Sequence, residues 1–539
     1  MQKILINDWI SAIISGSNNM QNNKNRIDSL NVFPVPDGDT GTNMSSTIKK
    51  AADTLENSKF STLNQLLQSI SKDMLLGARG NSGVILSQIF KGFSEGWKGL
   101  DAIESHNIIA GFKEASKMAY ASVINPIEGT ILTVIRETYE NLDKKIKSSM
   151  NIIDIFELAL KFARKSCDNT PNLLPVLKEV GVVDSGGEGL NIIIEGILAS
   201  LKGKPIKISN EDIKMQQFTG ELEIYDGEFG YCTELILKIN NNIKFNKIDF
   251  INRLSKLGNS LVVVQDEEIV KIHIHTLQPG QILNYSQKFG EFDAIKSENM
   301  TIQASDTKSQ IQSPVSDKKK TSAIISCNSG SGIIDLMKQY ECDYIIEGGQ
   351  TNNPSAQDVI EAINYVNADN IFILPNNSNI ILTAQQAAKI IKNKNIKVIP
   401  TKTQLAGITA ILNFSSELNL EDNLEEIESS LKNLIAGQIT TAIKDTKINN
   451  IKVKSGDYLV MIENNIVGCK KSLIKAGEFL LKEMLSQKKD SELISIYYGA
   501  DSSRVEANEL EKFIVSNYEV EVEIYNGDQP IYNFLVSVE

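Results

Sequence analysis

The apolar residues of the first 200 positions recur at helical spacing, and this regularity constrains the fold more than any other feature of the sequence. Four stretches carry apolar side chains three and four positions apart: Leu63–Leu76, Ile108–Val123, Ile152–Ala163 and Leu190–Leu201. This spacing places the apolar side chains on one face of a helix. No long stretch in this part alternates apolar and polar residues as a half-buried strand does. The sequence therefore predicts an all-helical N-terminal domain, interrupted by glycine-rich loops, over residues 1–203.

The pattern changes near Gly220, where short segments rich in β-branched residues begin. The segments "YCTELILKI", "SLVVVQD" and "EIVKIHIHT" predict strands, and helical spacing follows the first and the third. The resulting order of strand, helix, strand, strand, helix, strand is that of a split βαβ unit. We therefore predict a small two-layer α+β domain over residues 220–305. Residues 306–320 are polar and lack apolar periodicity, which is typical of a linker.

Strands and helices alternate through the last part of the chain, residues 321–539. "SAIISC", "IFILP" and "IKVIP" predict strands, and Gln357–Val366 and Ala384–Lys392 predict helices. Alternation of this kind predicts an α/β domain with a largely parallel sheet. "TTAIKDT", "YLVMIENNIVG" and "ELISIYY" predict further strands, together with at least three more helices. The pattern leaves open whether this part forms one domain or two lobes.

Charge and cysteine content exclude several classes of protein. The formal net charge is −12, so binding to nucleic acid, which requires a basic surface, is not expected. No apolar run reaches about eighteen residues, so no transmembrane segment is expected. The five cysteines are scattered and odd in number, so they do not indicate a disulfide framework. We therefore expect a reducing, cytoplasmic setting.

The segment "NVFPVPDGDTGTNM", residues 31–44, mixes glycine, proline and aspartate in a way that neither a helix nor a central strand tolerates. Asp37 and Asp39 flank Gly38, and a bend at the glycine turns both carboxylates to one side. Two hard oxygen ligands suit Mg²⁺ together with phosphate oxygens. The next residues lead into a helix, whose free N–H groups suit an anion: Thr40, Gly41, Thr42 and Asn43. The alternative is an ordinary β-turn with solvated aspartates.

Three further glycine-rich loops, "GARGNSG", "NPIEGT" and "VVDSGGEG", interrupt the helical domain. The candidate residues that they contribute to such a site are Arg79, Gly80, Asn81, Ser82, Thr130, Asp184 and Gly186. Among these, Asn81 and Ser82 can donate to phosphate, and Arg79 can neutralise developing negative charge. Helix capping explains each loop separately. Four such loops in one helical domain are more than packing needs, so the set favours a phosphate site.

Two histidines of the middle domain form a second candidate site. His273 and His275 occupy positions i and i+2 of a predicted strand, so they share one face of it. Cys232 lies on another predicted strand of the same domain. If these strands are neighbours, the three side chains suit Zn²⁺, with Glu234 or a water as a fourth ligand. The alternative is a polar strand face with exposed histidines and a buried cysteine.

These motifs resemble those of known kinases. Residues 1–200 resemble the L subunit of dihydroxyacetone kinases, a helical barrel that binds ATP through carboxylate-held magnesium, and "PDGDTGTNM" matches the core of its loop. The resemblance to the catalytic subunit of bacterial fatty acid kinase is closer and spans nearly the whole chain. It includes, in family order, "LNVFPVPDGDTGTNM", "GARGNSGVILSQ", "EGTILTV", "VLKEVGVVDSGG", "YCTE", "HIHT", "GGQTNNPS", "LPNN" and "QPIY".

The resemblance implies a kinase that uses ATP and two Mg²⁺ ions to phosphorylate the carboxylate of a fatty acid. A separate fatty-acid-binding protein would present the substrate, and the product would be an acyl phosphate. Asp37 and Asp39 would hold the metals, while Asp184 and Gly186 would line the nucleoside side. A carboxylate acceptor is already ionised at pH 7, because such acids titrate near ~4, so no general base is required.

The chain departs from the dihydroxyacetone kinase pattern at one metal ligand. Those kinases have a third aspartate before the aspartate pair, and the nearest position here is Asn31, with one extra residue between. Asn31 offers a carbonyl oxygen, and Asp28 is the upstream alternative.

The C-terminal domain is similar to the DegV-like fold of the family's lipid-binding partners, and we expect it to dock such a partner. The loop "CNSGSG" follows a strand in this domain, and we interpret it as a tight turn, because it lacks a complete phosphate-loop motif. We also expect a homodimer. Two other functions stay open: a kinase of a small ketone or polyol, and a non-catalytic nucleotide-sensing scaffold.

Overall fold

The computed structural model describes residues 1–31, 38–147, 150–209, 231–240, 245–266, 269–299, 319–350, 352–442, 445–448, 451–463, 465–488 and 490–539. The chain divides into two compact units: Met1–Lys207 with Lys318–Glu539, and Ile208–Asp317. The protein is therefore multidomain, and its N-terminal and C-terminal parts belong to one unit. The sequence-derived boundaries at 203, 220, 305 and 321 remain predictions.

The N-terminal part of the first unit is helical, as its periodicity predicts. Its helices are α1 Ile6–Leu30, α2 Thr40–Asn57, α3 Leu63–Leu76, α4 Gly80–Gly96, α5 Ile108–Ala121, α6 Ile131–Lys145, α7 Ile152–Leu173, α8 Pro175–Val180 and α9 Ser185–Leu201. Two short strands, β1 Lys3–Ile4 and β2 Ile103–Glu104, pair antiparallel. No helix among the described residues combines the length and the apolar character needed to cross a membrane.

An aromatic cluster lies in the core of this helical part. Trp9 of α1 meets Trp97 edge to face, with ring centroids 5.1 Å apart. Phe93 of α4 stacks on Trp97 at 5.0 Å and meets Phe112 of α5 edge to face at 5.1 Å. The buried core cluster runs from Ile4 to Leu201. The helical part thus encloses an apolar core of its own.

The described residues of the second unit form a four-stranded sheet with two helices. Its elements are β3 Tyr231–Ile239, α10 Lys247–Leu254, β4 Asn259–Asp266, β5 Ile269–Thr276, α11 Pro279–Ser286 and β6 Gly290–Asn299. The strand order is β4-β5-β3-β6, with antiparallel neighbours throughout. This is the predicted order of elements. Phe250 of α10 and Ile282 of α11 pack with Leu235, Leu237 and Ile272 of the sheet in one buried core.

The C-terminal part of the first unit begins with a parallel sheet and its helices. The elements are β7 Lys320–Asn328, α12 Ser331–Gln339, β8 Tyr344–Glu347, α13 Ala356–Tyr365, β9 Ala368–Leu374, α14 Ser378–Ile390 and β10 Asn395–Val398. The strand order is β10-β9-β7-β8, and every pair is parallel. A parallel sheet is what the alternation of strands and helices predicts.

A larger mixed sheet follows. The elements are α15 Gln404–Leu412, α16 Leu420–Asn433, β11 Ile435–Thr441, β12 Thr446–Ile448, β13 Ile451–Val453, β14 Tyr458–Ile462, β15 Asn465–Lys470, α17 Leu473–Gln487, β16 Leu493–Tyr498, α18 Arg504–Asn517, β17 Glu521–Asn526 and β18 Tyr532–Val538. Six of the strands form one sheet in the order β15-β14-β11-β18-β16-β17, and β12 pairs with β13.

One buried cluster joins the two C-terminal sheets. Ile324 of β7 and Phe372 of β9 share this cluster with Ile408 of α15, Tyr497 of β16 and Leu535 of β18. Because the helix between the sheets contributes to the same core, the sheets form a single body. The sequence pattern leaves open whether residues 321–539 form one domain or two lobes, and this packing indicates one.

Candidate functional site

The glycine- and aspartate-rich loop leads directly into α2. Gly38 has φ of +42°, in the region that favours glycine. Asp39 precedes the first residue of α2 and is only 6% exposed. Asp37, the other predicted carboxylate, lies outside the described residues. The structure thus places one predicted metal ligand, Asp39, in a buried position at a helix N-terminus.

Asp28 fixes the start of α2 to the end of α1. The backbone N–H of Thr42 donates to Asp28 Oδ1 at 3.0 Å, and the Thr42 hydroxyl donates to Oδ2 at 2.7 Å. Burial raises the pKa of Asp28, while the bonds from Thr42 oppose that rise. Gly41 permits the contact, because a Cβ there would lie 2.1 Å from the Lys24 carbonyl oxygen. In the described contacts Asp28 therefore holds α2 in place, and its role as a metal ligand remains a prediction.

The start of α9 lies beside the start of α2. The Thr40 hydroxyl accepts a hydrogen bond from Asn31 Nδ2 at 2.9 Å and from Ser185 Oγ at 3.2 Å. Asn31, the predicted third metal ligand, therefore lies within reach of the same loop. These bonds join the C-terminal end of α1 to the N-terminal ends of α2 and α9.

Asp184 joins the start of α9 to the start of α6. Its Oδ2 accepts from the backbone N–H of Gly187 at 2.7 Å, and its carboxylate also accepts from the backbone of Ile131. Burial raises the pKa of Asp184 to about 6, although both backbone bonds act to lower it. Gly186 packs on Ile131, since a Cβ at Gly186 would be 3.3 Å from the Ile131 Cβ.

The loop before α4 lies against α2. A Cβ at Gly80 would be 2.5 Å from Asn43 Nδ2, so the glycine allows close approach. The Arg79 backbone N–H donates to Thr47 Oγ1 of α2 at 3.4 Å. Asn43 itself is buried, with 4% of its surface exposed. The predicted phosphate residues of the first two loops are therefore neighbours in space.

Two other predicted residues lie at the N-terminal ends of helices. Thr130 caps α6, with its hydroxyl accepting from the Leu132 N–H at 3.4 Å and donating to the Ile127 carbonyl at 2.8 Å. Ser82 is partly exposed in the first turn of α4.

The four glycine-rich loops thus bring together the N-terminal ends of four helices. Asn43 and Gly80 link α2 to α4, Thr40 and Ser185 link α2 to α9, and the Asp184 carboxylate links α9 to α6. Helix N-termini carry partial positive charge. Their convergence beside a buried carboxylate makes a place where a phosphate chain and a cation can bind together.

The C-terminal part adds residues to the site around Asp39 that the sequence did not predict. Asn353 is 2% exposed, and its Nδ2 donates to Asp39 Oδ2. Arg79 donates from Nη1 to the Asn353 carbonyl oxygen at 2.8 Å, and its Nη2 lies 3.9 Å from Asp358 Oδ2. The available signal was the polar loop "GGQTNNPS", which contains Asn353 and is one of the motifs shared with the family.

The loop "CNSGSG" has a packing role. A Cβ at Gly330 would lie 2.5 Å from the Gly527 carbonyl oxygen, and one at Gly332 would lie 1.9 Å from that of Asn526. Ser331 Oγ donates to Asp528 Oδ2 at 2.6 Å. The loop is therefore a tight turn held against the connection between β17 and β18, in agreement with the interpretation as a turn.

The predicted zinc ligands lie on paired strands of the second unit. The register of β3 and β5 sets Cys232 opposite His275 and Glu234 opposite His273. The predicted strands are therefore neighbours. The side chains of these residues lie outside the described part of the chain. Among the described side chains, no group of three or more His, Cys, Asp or Glu residues could hold a metal ion.

Comparison with family models matches the chain in three consecutive parts. Residues 34–199 match the DAK2 domain model. Residues 228–307 match the model for the middle domain of FakA-like fatty acid kinase proteins, and residues 323–539 match the model for their C-terminal region. A DAK2 helical domain followed by these two regions defines a kinase-type, multidomain protein.

The chain is similar to curated proteins over almost its whole length. It is 40% identical to protein YloV of Bacillus subtilis over 548 residues, which cover 98% of both chains. It is also 40% identical to an uncharacterized protein of Staphylococcus epidermidis over 546 residues, again 98% of both. The chain therefore belongs to the FakA-like fatty acid kinase family.

Likeness to solved structures is weaker. A DegV lipid-binding protein from Thermotoga maritima is 13% identical, with a TM-score of 0.32, and the match covers 41% of this chain and 98% of that one. The dihydroxyacetone kinase from C. freundii in complex with AMP-PNP and Mg²⁺ is 16% identical, with a TM-score of 0.29. That match covers 37% of this chain and 35% of the other. TM-scores this low do not define a fold.

Proposed function

We propose that the protein transfers the γ-phosphoryl group of ATP to the carboxylate of a fatty acid, giving acyl phosphate and ADP. A separate fatty-acid-binding protein presents the acyl chain. The observation that carries this proposal is the convergence of four helix N-termini beside the buried carboxylate of Asp39. Membership of the FakA-like fatty acid kinase family supports the choice of acceptor.

The side chains around Asp39 fit magnesium by their chemistry. Asp39 offers a buried carboxylate, and the hydroxyl of Thr40 and the amide of Asn31 follow it in the same cluster. Hard oxygen donors of this kind are the ligands that Mg²⁺ prefers. We propose that Asp37 and Asp39, with Asn31, hold two Mg²⁺ ions. When bound, magnesium would neutralise charge on the phosphate oxygens.

The remaining residues act by positioning. The positive N-terminal ends of α2, α4 and α9 would stabilise the negative charge of the triphosphate. We propose that Thr40 and Asn43 hold the phosphates from one side, while Asn81 and Ser82 approach from the start of α4. Thr42, also predicted to hold phosphate, instead donates its N–H and its hydroxyl to Asp28 and fixes the start of α2. The acceptor needs no general base, because a fatty acid is already ionised near neutral pH. Alignment of the acceptor and the γ-phosphate therefore accounts for most of the rate.

We propose that the C-terminal part docks the carrier, because the acyl chain must reach the kinase site without crossing water. Its described residues already contact the residues around Asp39. We also propose a homodimer, which sedimentation of the full chain would test directly.

The test is turnover of ATP with oleate, with and without a purified fatty-acid-binding protein. We expect acyl phosphate and ADP in equal amounts, and only with the carrier present. Dihydroxyacetone serves as a parallel acceptor in the same assay. Phosphorylation of dihydroxyacetone, with no transfer to carrier-bound oleate, would overturn the proposed acceptor.

We propose that Cys232, His273 and His275 bind one Zn²⁺ ion, because the backbone register sets Cys232 opposite His275. Such a site would tie β3 to β5. Elemental analysis of protein purified without chelator or affinity metal should find about one zinc per chain, and His273→Ala should lower it. Protein that contains no zinc and takes up none when offered it would refute the site.

A further inference from the structure

A short segment of the C-terminal part, residues 352–355, lies across the loop before α4, and we call it the strap. Ser355 forms an isolated antiparallel bridge with Arg79. The N–H of Ala356 donates to the Ala78 carbonyl oxygen at 3.1 Å. The strap is thus held by backbone contacts as well as by the side chain of Asn353.

The start of α13 fixes the C-terminal end of the strap. The Ser355 N–H donates to Asp358 Oδ2 at 2.7 Å, and the Asp358 N–H donates to Ser355 Oγ at 3.2 Å. This reciprocal pair is a capping box, which satisfies two free donors of the helix. The strap is therefore a shaped extension of a helix rather than a loose loop.

The strap and α14 engage the same groups that the proposed function assigns to metal and phosphate. Asn353 Nδ2 donates to Asp39 Oδ2, and an N–H group competes with a cation for the lone pairs of that oxygen. The Arg79 guanidinium donates to the Asn353 carbonyl oxygen. Asn81 Nδ2 donates to Asn379 Oδ1 of α14 at 3.3 Å.

We propose that the strap is an autoinhibitory contact, which masks Asp39 and Arg79 until magnesium and nucleotide displace Asn353. This inference rests on the proposed function. Displacement frees the Asp39 carboxylate for a cation and the Arg79 guanidinium for phosphate in one movement. The C-terminal part thereby controls access to the site on the helical part.

Two buried acceptors without hydrogen-bond partners in the described part of the chain weaken the contact between the strap and the helical part. The side-chain oxygens Oδ1 of Asn353 and Asn81 are both buried and have no hydrogen-bond partner among the described residues. A buried acceptor without a partner weakens the state that contains it. The gain from the bonds to Asp39 and Arg79 is therefore partly offset, and ligand binding can shift the balance towards the open state.

Binding of Mg²⁺·AMP-PNP to the full chain tests the strap without requiring turnover. Asn353→Ala removes the bond to Asp39 and leaves the backbone of the strap in place. The matched control is Asn352→Ala, since Asn352 is the exposed neighbour on the same strap. We expect calorimetry to show binding about five- to tenfold tighter in N353A than in wild type, because the closed fraction no longer reduces the apparent affinity. N352A should match wild type.

Equal or weaker binding in N353A would overturn the proposal, because Asn353 would then support the site instead of masking it. If N352A gained affinity like N353A, the specific role of Asn353 would likewise be refuted. These results leave the proposed kinase function standing. That function fails separately, and the strap proposal with it, if wild type and N353A both fail to bind the analogue.

Discussion

Asp39 is the described residue on which the proposed chemistry depends most directly. The composition of its loop is also compatible with solvated aspartates, whereas the structure buries the side chain to 6% exposure. Burying a carboxylate is costly unless a polar partner or a cation compensates it. The amide of Asn353 supplies one such partner in the closed contact, and the proposed function assigns a cation to the same carboxylate.

Asp39→Asn should lower the rate of phosphoryl transfer at saturating magnesium by at least about 100-fold, because a positioned charge in such a site contributes several kcal/mol. The amide keeps the size of the side chain, so the circular dichroism spectrum should not change. Asp53→Asn, an exposed change on the same helix, should retain full activity. Wild-type rates in D39N would contradict the metal assignment.

The raised pKa of Asp184 gives a prediction for how the stability of the protein depends on pH. Burial raises its pKa from 3.8 to about 6, so the folded chain binds a proton that the unfolded chain releases. Stability therefore falls as the pH rises from about 4 to about 6, by at most about 3 kcal/mol. Asp184→Asn removes this dependence and keeps the cap of α9.

Melting temperatures of wild type and D184N at about pH 4.5 and pH 7 check this prediction. Wild type should gain stability relative to D184N at the lower pH. Asp143→Asn, an exposed change on α6, should follow wild type at both values. A constant offset between wild type and D184N across the range would contradict a raised pKa for Asp184.

Residues of the site differ in how far the sequence could predict them. Asn31, Thr40 and Asp39 fall within one loop, so their proximity follows from chain connectivity. Asn353 lies 314 positions from Asp39 along the chain, and nothing in a local pattern joins the two. The same limit applies to Asn379, which meets Asn81 from another helix.

For helices and strands, the periodicity of the sequence predicted the presence of each helix better than the residues at which it begins and ends. The helix predicted at Ala384 begins at Ser378, because the Asn377 side chain accepts from the Asn379 N–H at 2.8 Å and caps it. The asparagines of "PNNSN" indicate a loop in the sequence, although one of them is this cap. Similarly, the strand predicted over "TTAIKDT" begins five residues earlier, at Ile435, and ends at Thr441, the second residue of that segment.

The close approach of α1 and α2 at Gly41 gives a prediction for the packing of these two helices. A Cβ at this position would lie 2.1 Å from the Lys24 carbonyl oxygen, and backbone cannot move aside cheaply. Gly41→Ala should therefore destabilise the helical part by about 1–3 kcal/mol. It should also weaken binding of Mg²⁺·AMP-PNP, because α2 and the Asp28–Thr42 bonds would shift. Thermal melting and calorimetry measure the two effects.

Gly280→Ala is the matched control for this change. Gly280 lies in the first turn of α11, and a Cβ there would meet nothing within 4 Å. G280A should leave both melting and nucleotide binding unchanged or slightly improve stability, since alanine is the better helix former. If G41A also melted like wild type, the tight approach of α1 and α2 would not hold in solution.

At the scale of the whole molecule, the sequence predicted the succession of helical, α+β and α/β parts but not their grouping. The N-terminal and C-terminal parts form one compact unit, although residues 208–317 separate them in the chain. The contact of Ala78 with Ala356 and that of Arg79 with Asn353 are among those that join the two parts. Such contacts join polar loops whose composition is also typical of solvent-exposed turns, so composition alone could not have predicted them.

We predict that residues 1–207, expressed alone, fold and bind nucleotide. The fragment contains the whole buried cluster from Ile4 to Leu201. It should end at Lys207 and not at Leu201, because the Ile206 N–H donates to Ser15 Oγ at 2.9 Å and its carbonyl accepts from Asn18 at 3.0 Å. The fragment lacks the strap, so it should bind Mg²⁺·AMP-PNP as tightly as full-length N353A and about five- to tenfold more tightly than wild type.

The same fragment should not phosphorylate free oleate at an appreciable rate, because transfer requires the carboxylate to be held in line with the γ-phosphate. In the proposed function, the site on the helical part would supply the phosphate contacts, whereas the carrier would supply the position of the acceptor. Binding in the fragment that is weaker than in wild type would contradict a masking strap, since removal of a mask cannot reduce affinity. Rapid turnover of free oleate by the fragment would contradict the need for a carrier and leave the nucleotide site as proposed.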